Sequence, residues 1–249
     1  MTDTSDTPKR MSGGAPKGER RRRRTKPQAD NATRMLTKKV KTARGRKISS
    51  KLWIERQIND PYVQKAKELG YRSRAAFKLE ELDDKFSLIK PGSLIVDLGC
   101  APGGWLQVGF KRGASTIIGI DILPVDPVPG ADILHLDFMR DDAPDQLKAF
   151  LDRAPDLVMS DLAANTTGHR NTDHLKTVAL VEAAAEFAMD VLAPGGHFVT
   201  KVFQGGTEGR LLERLKANFE FVRHAKPASS RKGSPEIYLV AKGFGKKSG

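Results

Sequence analysis

Three carboxylates and a cluster of glycines carry the first chemical signal. The stretch Leu94-Ile95-Val96-Asp97-Leu98-Gly99-Cys100-Ala101-Pro102-Gly103-Gly104-Trp105 reads as a buried strand, an acid, a glycine-rich turn and the start of a helix. Glycines there let backbone approach a ligand closely, and the first turn of the helix offers free N–H groups. Gly99, Gly103 and Gly104 do not match the Gly-x-Gly-x-x-Gly spacing of dinucleotide sites. Asp121 stands 24 residues after Asp97, at the end of the next apolar run. A carboxylate there can accept hydrogen bonds from ribose hydroxyls. Asp137, within Leu136-Asp137-Phe138, ends the third run, where it can reach the exocyclic amine of an adenine. Either acid alone reads equally well as a solvated strand end. Two at consecutive strand ends of one sheet favour a nucleoside ligand.

The elements that must position these groups alternate along the chain. Helices are expected at Ser50–Gln57, from Asp60-Pro61 to Gly70, and over Ser73–Phe86, where Ala76, Phe77, Leu79 and Leu82 share one face. Apolar runs at Leu94–Leu98, Thr116–Ile120, Ile133–Leu136, Leu157–Ser160 and His197–Val202 predict strands, with helical stretches between them. One such helix spans about Thr172 to Leu192, and another Gly209–Asn218. Two last strands, Phe219–Ala225 and Glu236–Ala241, lack a helix between them and should pair antiparallel at one edge. The pattern predicts an α/β fold with a mostly parallel, seven-stranded, doubly wound sheet, helices on both faces and an antiparallel last strand.

Charge divides the chain differently. The 249 residues hold 43 Lys and Arg against 30 Asp and Glu, a net charge of +13. Residues 1–48 hold 16 of those bases and 4 acids, so residues 49–249 carry a net charge of only +1. The basic segment is poor in large apolar side chains, and such a composition cannot offset its ordering entropy by burial. The expected organisation is a disordered basic tail, 1–48, followed by a folded domain, 49–249. The tail serves either as a solubilising extension or as an arm that binds RNA through counterion release. One cysteine excludes a disulfide framework and a CxxC zinc site. His135, His169, His174, His197 and His224 show no metal spacing, so no metal is expected. No apolar run approaches the roughly 18 residues of a membrane span, and the amino terminus lacks a secretory pattern. A monomer in the cytoplasm is the expectation.

Asp97-x-Gly99-x-x-Pro102-Gly103-Gly104 looks like the S-adenosylmethionine loop of Rossmann-like methyltransferases. Further blocks coincide with it in order: Tyr71-Arg72-Ser73-Arg74-Ala75-Ala76-Phe77-Lys78-Leu79, Met159-Ser160-Asp161, Lys201-Val202-Phe203-Gln204-Gly205, Lys226-Pro227, Ser229-Ser230-Arg231 and Ser234-Pro235-Glu236-Ile237-Tyr238. Over about residues 49–242 the chain resembles the RlmE (FtsJ) family of 2′-O-ribose RNA methyltransferases. The resemblance implies a Lys-Asp-Lys-Glu catalytic tetrad on Lys78, Asp161, Lys201 and Glu236. It implies S-adenosylmethionine contacts from Gly103, Trp105, Asp121, Asp137 and Asp161. Cys100 stands where bacterial members usually have alanine, and Ala164 where they have proline before Asn165, which should loosen the loop after Asp161. A catalytic role for Cys100 has no activating base nearby in sequence.

The chemistry so implied is attack of a ribose 2′-oxygen on a sulfonium methyl, in line with the departing sulfur, with much of the rate coming from positioning. Lys201 is the candidate base. A lysine serving as base near neutral pH must give up its proton at a cost of roughly 4 kcal/mol. The alternative is a charged Lys201 that stabilises the developing oxyanion. Arg72, Arg74, Lys226, Arg231 and Lys232 are candidate phosphate contacts. By resemblance the substrate is a uridine of 23S ribosomal RNA in the large ribosomal subunit. A transfer-RNA 2′-O-methyltransferase and a non-catalytic RNA-binding assembly factor are the competing readings.

Overall fold

A computed structural model describes residues 48–164, 169–204 and 209–245. The expected tail 1–48 lies outside these residues except for its last position, as do Asn165 and Gly205. Three helices come first: α1 (Ile48–Ile58), α2 (Pro61–Glu68) and α3 (Ala75–Phe86). Asp60 caps α2 by accepting from the Tyr62 N–H at 3.1 Å, with Pro61 opening the helix.

Then follow β1 (Leu94–Leu98), α4 (Gly104–Lys111), β2 (Thr116–Asp121), β3 (Ala131–His135), α5 (Ala143–Lys148), β4 (Leu157–Ser160), α6 (Arg170–Val191), β5 (His197–Phe203), α7 (Gly209–Asn218), β6 (Phe219–Ala225) and β7 (Glu236–Phe244). They form one seven-stranded sheet in the order β3-β2-β1-β4-β5-β7-β6. Strands β1 to β5 run parallel, and β7 enters antiparallel between β5 and β6. The strand order reverses direction at β1 and β4, the position where open α/β sheets hold ligands beyond their carboxyl ends.

Alternation along each strand supplies two cores. Ile95, Ile117, Met159 and Val240 face α3 and α4, where Leu79, Leu82 and Leu106 meet them. Val96, Ile118, Val158, Phe198 and Leu239 face α5, α6 and α7, packing on Leu147, Ala184, Ala188 and Leu215. The expected α/β architecture is present, with differences at strand ends. Strand β3 starts at Ala131, ahead of the apolar run, because it is an edge strand paired only with β2 and partly exposed along its length. Strand β7 continues through Lys242 and Gly243 to Phe244, since pairing with β5 and β6 holds it past its apolar run.

Candidate active site

The turn after β1 is shaped by what its glycines lack. Gly99 has φ +83°, and a Cβ there would lie 2.9 Å from the Leu162 backbone nitrogen. Gly103 has φ +102°, and its Cβ would lie 2.9 Å from Arg72 Nη1. Both positions therefore demand glycine twice over, by dihedral and by space. Asp121 clasps the turn from β2: one carboxylate oxygen accepts from the Ala101 N–H at 2.8 Å, the other from the Leu123 N–H at 2.8 Å. Asp137 holds its own turn in the same way, accepting from the Met139 N–H at 2.9 Å.

These turns border a cavity of about 620 Å³ at the carboxyl ends of β1 to β4. Ile120, Leu123, Phe138 and Leu180 supply apolar wall, and Asp121, Asp137 and Asp161 supply carboxylates. Lys176 of α6 also reaches it, a residue that nothing in the sequence distinguishes from the other charges of that helix. Its size and its mixture of apolar wall with a few polar groups are those of a small-molecule site. Gly103 and Trp105 are placed otherwise. Trp105 is buried against α3, its indole N–H donating to the Ala75 carbonyl at 2.9 Å, and its ring packs beside Tyr238. Neither Gly103 nor Trp105 lines the cavity.

Beyond the cavity, the four tetrad residues converge. The antiparallel register of β7 sets Tyr238 opposite Lys201 and Glu236 opposite Phe203. The Lys201 ammonium donates to the Asp161 carbonyl at 2.7 Å and lies 3.2 Å from Asp161 Oδ1. Lys78, from α3, makes a 2.5 Å ion pair with Glu236. Tyr238 joins the two pairs: its hydroxyl donates to Asp161 Oδ1 at 2.9 Å and accepts from Lys78 Nζ at 3.3 Å. Burial pushes the Tyr238 phenol well above its ordinary value, with Asp161 and Glu236 adding to the shift, so it stays a proton donor. The sequence gives Tyr238 no role of its own, since a tyrosine between Ile237 and Leu239 reads as core.

Two further groups lie beneath. Asp97 is fully buried, and neither carboxyl oxygen has a hydrogen-bond partner among the described residues. Burial, then the charges of Asp161 and Asp121, hold this carboxyl well above the usual range. Cys100 is buried too, stacked where a Cβ on Gly119 of β2 would fall 2.8 Å from its sulfur. Burial and the carboxylates of Asp97 and Asp121 push its thiol up, which opposes a thiolate nucleophile.

The candidate phosphate contacts are largely engaged inside the fold. Arg72 donates to the carbonyls of Pro102, Asp126 and Pro127, bracing the glycine turn. Arg74 pairs with Asp60 and donates to the Ser229 carbonyl, while Arg231 reaches Asp60 at 3.2 Å. Lys226 donates to the Ser234 carbonyl at 2.8 Å. This network pins the connection from β6 to β7, and with it Glu236. Among the described residues no cluster of three or more His, Cys, Asp or Glu could hold a metal ion. No helix among them is long and apolar enough to cross a membrane.

A doubly wound sheet with one inserted antiparallel strand, a nucleoside-sized cavity at its switch point and a Lys-Asp-Lys-Glu cluster beside it define a Rossmann-like methyltransferase. A sequence model of the FtsJ-like methyltransferase family matches residues 71–244. The chain belongs to that family. A protein of Granulibacter bethesdensis named ribosomal RNA large subunit methyltransferase E is 62% identical over 205 residues, covering 82% of this chain and 89% of its own. A Rhodospirillum rubrum protein of the same name is 55% identical over 241 residues, 94% of this chain and 92% of its own. Among solved structures, a ribosomal RNA methyltransferase of Plasmodium falciparum superposes with a TM-score of 0.63 at 34% identity, covering 70% of this chain and 99% of that one.

Proposed function

We propose that this enzyme methylates the ribose 2′-hydroxyl of a uridine in 23S ribosomal RNA of the large ribosomal subunit, with S-adenosylmethionine as donor. The observation that carries the reading is the convergence of Lys78, Asp161, Lys201 and Glu236 on Tyr238 at the edge of the cavity. The name shared by the relatives points the same way for the substrate.

The residues present fit S-adenosylmethionine. Apolar wall suits an adenine ring, Asp121 and Asp137 have acceptor capacity left for hydroxyl and amine groups, and the absent Cβ of Gly99 lets Leu162, another lining residue, pack close against the turn. Gly103 and Trp105 would contribute backbone at the helix start. When bound, S-adenosylmethionine supplies a methyl already activated for displacement by the ribose 2′-oxygen. Lys201 then either takes the 2′-hydroxyl proton at Nζ or stabilises the developing oxyanion there. Asp161 orients Lys201 through two contacts, and Tyr238 orients Asp161. Glu236 and Lys78 fix each other on the far side. The tail 1–48 adds salt-sensitive affinity for the RNA, and the folded domain, soluble in the cytoplasm and acting as a monomer, selects the site.

Incorporation of labelled methyl groups should be measured into intact large subunits, naked ribosomal RNA and transfer RNA, using substrates from cells lacking the gene. Incorporation into the large subunit at a ribose 2′-oxygen is expected. Incorporation only into transfer RNA refutes the ribosomal substrate, and binding to RNA without incorporation anywhere refutes the catalytic reading.

A further inference from the structure

Asp97 is paired in register with Gly119 of β2 and Met159 of β4. Two residues further along those same strand directions stand Gly99, Asp121 and Asp161, all of which line the cavity. Two residues of strand amount to roughly 7 Å, so the Asp97 carboxyl lies one layer beneath the cavity floor. Both its oxygens are sealed from solvent and lack hydrogen-bond partners among the described residues.

The titratable groups around it are mostly acids. Asp121 ends β2, Asp161 follows β4, and the Cys100 thiol belongs to the turn above. On β5, Lys201 is turned to Asp161, and on β7 the Tyr238 hydroxyl serves Asp161 as well. On α3, Lys78 is held by Glu236. Helix α4 brings Lys111, at its far end and paired with Glu80. Burial without a partner and the carboxylates of Asp161 and Asp121 all disfavour the charged form of this carboxyl, Lys176 at the cavity wall being a base on that side, and a further positive charge above it favours ionisation.

We infer that Asp97 is a charge-sensing residue: neutral in the free protein, it yields its proton to solvent when a cationic sulfonium ligand fills the cavity, and so favours the methyl donor over its uncharged thioether product. The inference rests on the reading of the cavity as the S-adenosylmethionine site. Only an O–H bond changes, and the proton passes to the buffer. Donor and product share the adenosine, the amine and the carboxylate, and differ at sulfur by one methyl group and its positive charge.

Calorimetric titration of the full chain with S-adenosylmethionine and with S-adenosylhomocysteine, at pH 7.5 in two buffers of different ionisation enthalpy, counts protons released by each ligand. Wild type is expected to release more protons with the donor. Asp97→Asn, which keeps the shape of the side chain, should abolish that difference and reduce the preference for donor over product about tenfold, the scale of a unit charge acting over this distance. Lys201→Met should retain the difference. Equal release by both ligands in wild type, which needs no variant, overturns the inference. A difference that survives Asp97→Asn or vanishes in Lys201→Met also overturns it. If neither ligand binds, the reading of the cavity falls and takes the inference with it; binding without Asp97-dependent release removes the inference alone.

Discussion

Replacing Lys201 separates chemistry from binding in a way the geometry makes quantitative. Its side chain is only 8% exposed, and its ammonium sits 2.7 Å from the Asp161 carbonyl and 3.2 Å from Asp161 Oδ1. Lys201 does not line the large cavity, whereas Asp161 does. In Lys201→Ala the Asp161 carboxylate keeps its 2.9 Å hydrogen bond from Tyr238, so its direction toward the cavity is preserved. Loss of a general base or of an oxyanion stabiliser each costs about 10²- to 10⁴-fold in rate, or roughly 3–5 kcal/mol of transition-state stabilisation. Affinity for S-adenosylmethionine should stay within a few-fold of wild type. Single-turnover transfer to undermethylated large subunits gives the first quantity, and calorimetry gives the second. Lys201→Met, which fills the space of the lysine stem, guards against collapse of the buried site, and circular dichroism melts monitor the fold. Equal losses of rate and of donor affinity, in a variant that melts like wild type, would refute the catalytic assignment and make Lys201 a structural support for Asp161.

Two other perturbations follow from particular contacts. Gly99→Ala places a Cβ against the Leu162 nitrogen at a left-handed dihedral, a conformation that costs roughly 1–2 kcal/mol before any overlap is relieved. Lower melting temperature and at least about tenfold weaker donor binding are expected; unchanged values for both refute the cradle. His197, buried at the start of β5, has its imidazole pushed below the ordinary value by burial, with Lys242 and Lys90 adding to the effect, and its Nδ1 accepts from the Gly243 N–H at 3.3 Å. The unfolded chain then binds the proton more readily, so this part of the stability is complete above pH 6.5 and lost as pH falls through the folded-state value. Urea unfolding between pH 7 and 5 should show a shallower fall for His197→Gln than for wild type, by at most about 1.4 kcal/mol per pH unit; parallel curves refute it.

Residue type and order made much of this legible before any coordinates. Asp121 and Asp137 close apolar runs, and a strand end in a parallel sheet is where a polar residue escapes burial while remaining near its neighbours; Asp97, inside β1, is instead fully buried. What sequence could not reveal depends on direction in space. Tyr238 acquires a role only because β7 runs antiparallel and sets it beside Lys201. Arg74 and Arg231 look like solvated bases until Asp60, 14 residues before the former and 171 before the latter, is found between them. Trp105 is the converse: the family resemblance alone implies a role for it at the cofactor, and the structure adds what sequence does not show, an indole turned into the core against α3. Periodicity gives a face, and only packing decides what that face meets.

The placement of charge around Tyr238 explains how one small site can serve two reactants of opposite sign. On the donor side, Asp97, Asp121, Asp137 and Asp161 lie at or just beneath the large cavity, with Lys176 at its wall. On the other side, Arg74, Lys78 and Arg231 line a separate notch of about 170 Å³, with Glu236 as its acid. Tyr238 touches Asp161 of the first set and Lys78 and Glu236 of the second. The cavity thus holds more acid than base, while at the notch Asp60, on Arg74 and Arg231, and Glu236, on Lys78, leave a single base in excess. Lys201 and Asp161 stand at the seam between the two groups of charge. The net charge of +1 over residues 49–249 therefore coexists with local imbalances of both signs. In the proposed function, long-range attraction to RNA is the part assigned to the basic segment 1–48, and short-range recognition the part assigned to the folded domain.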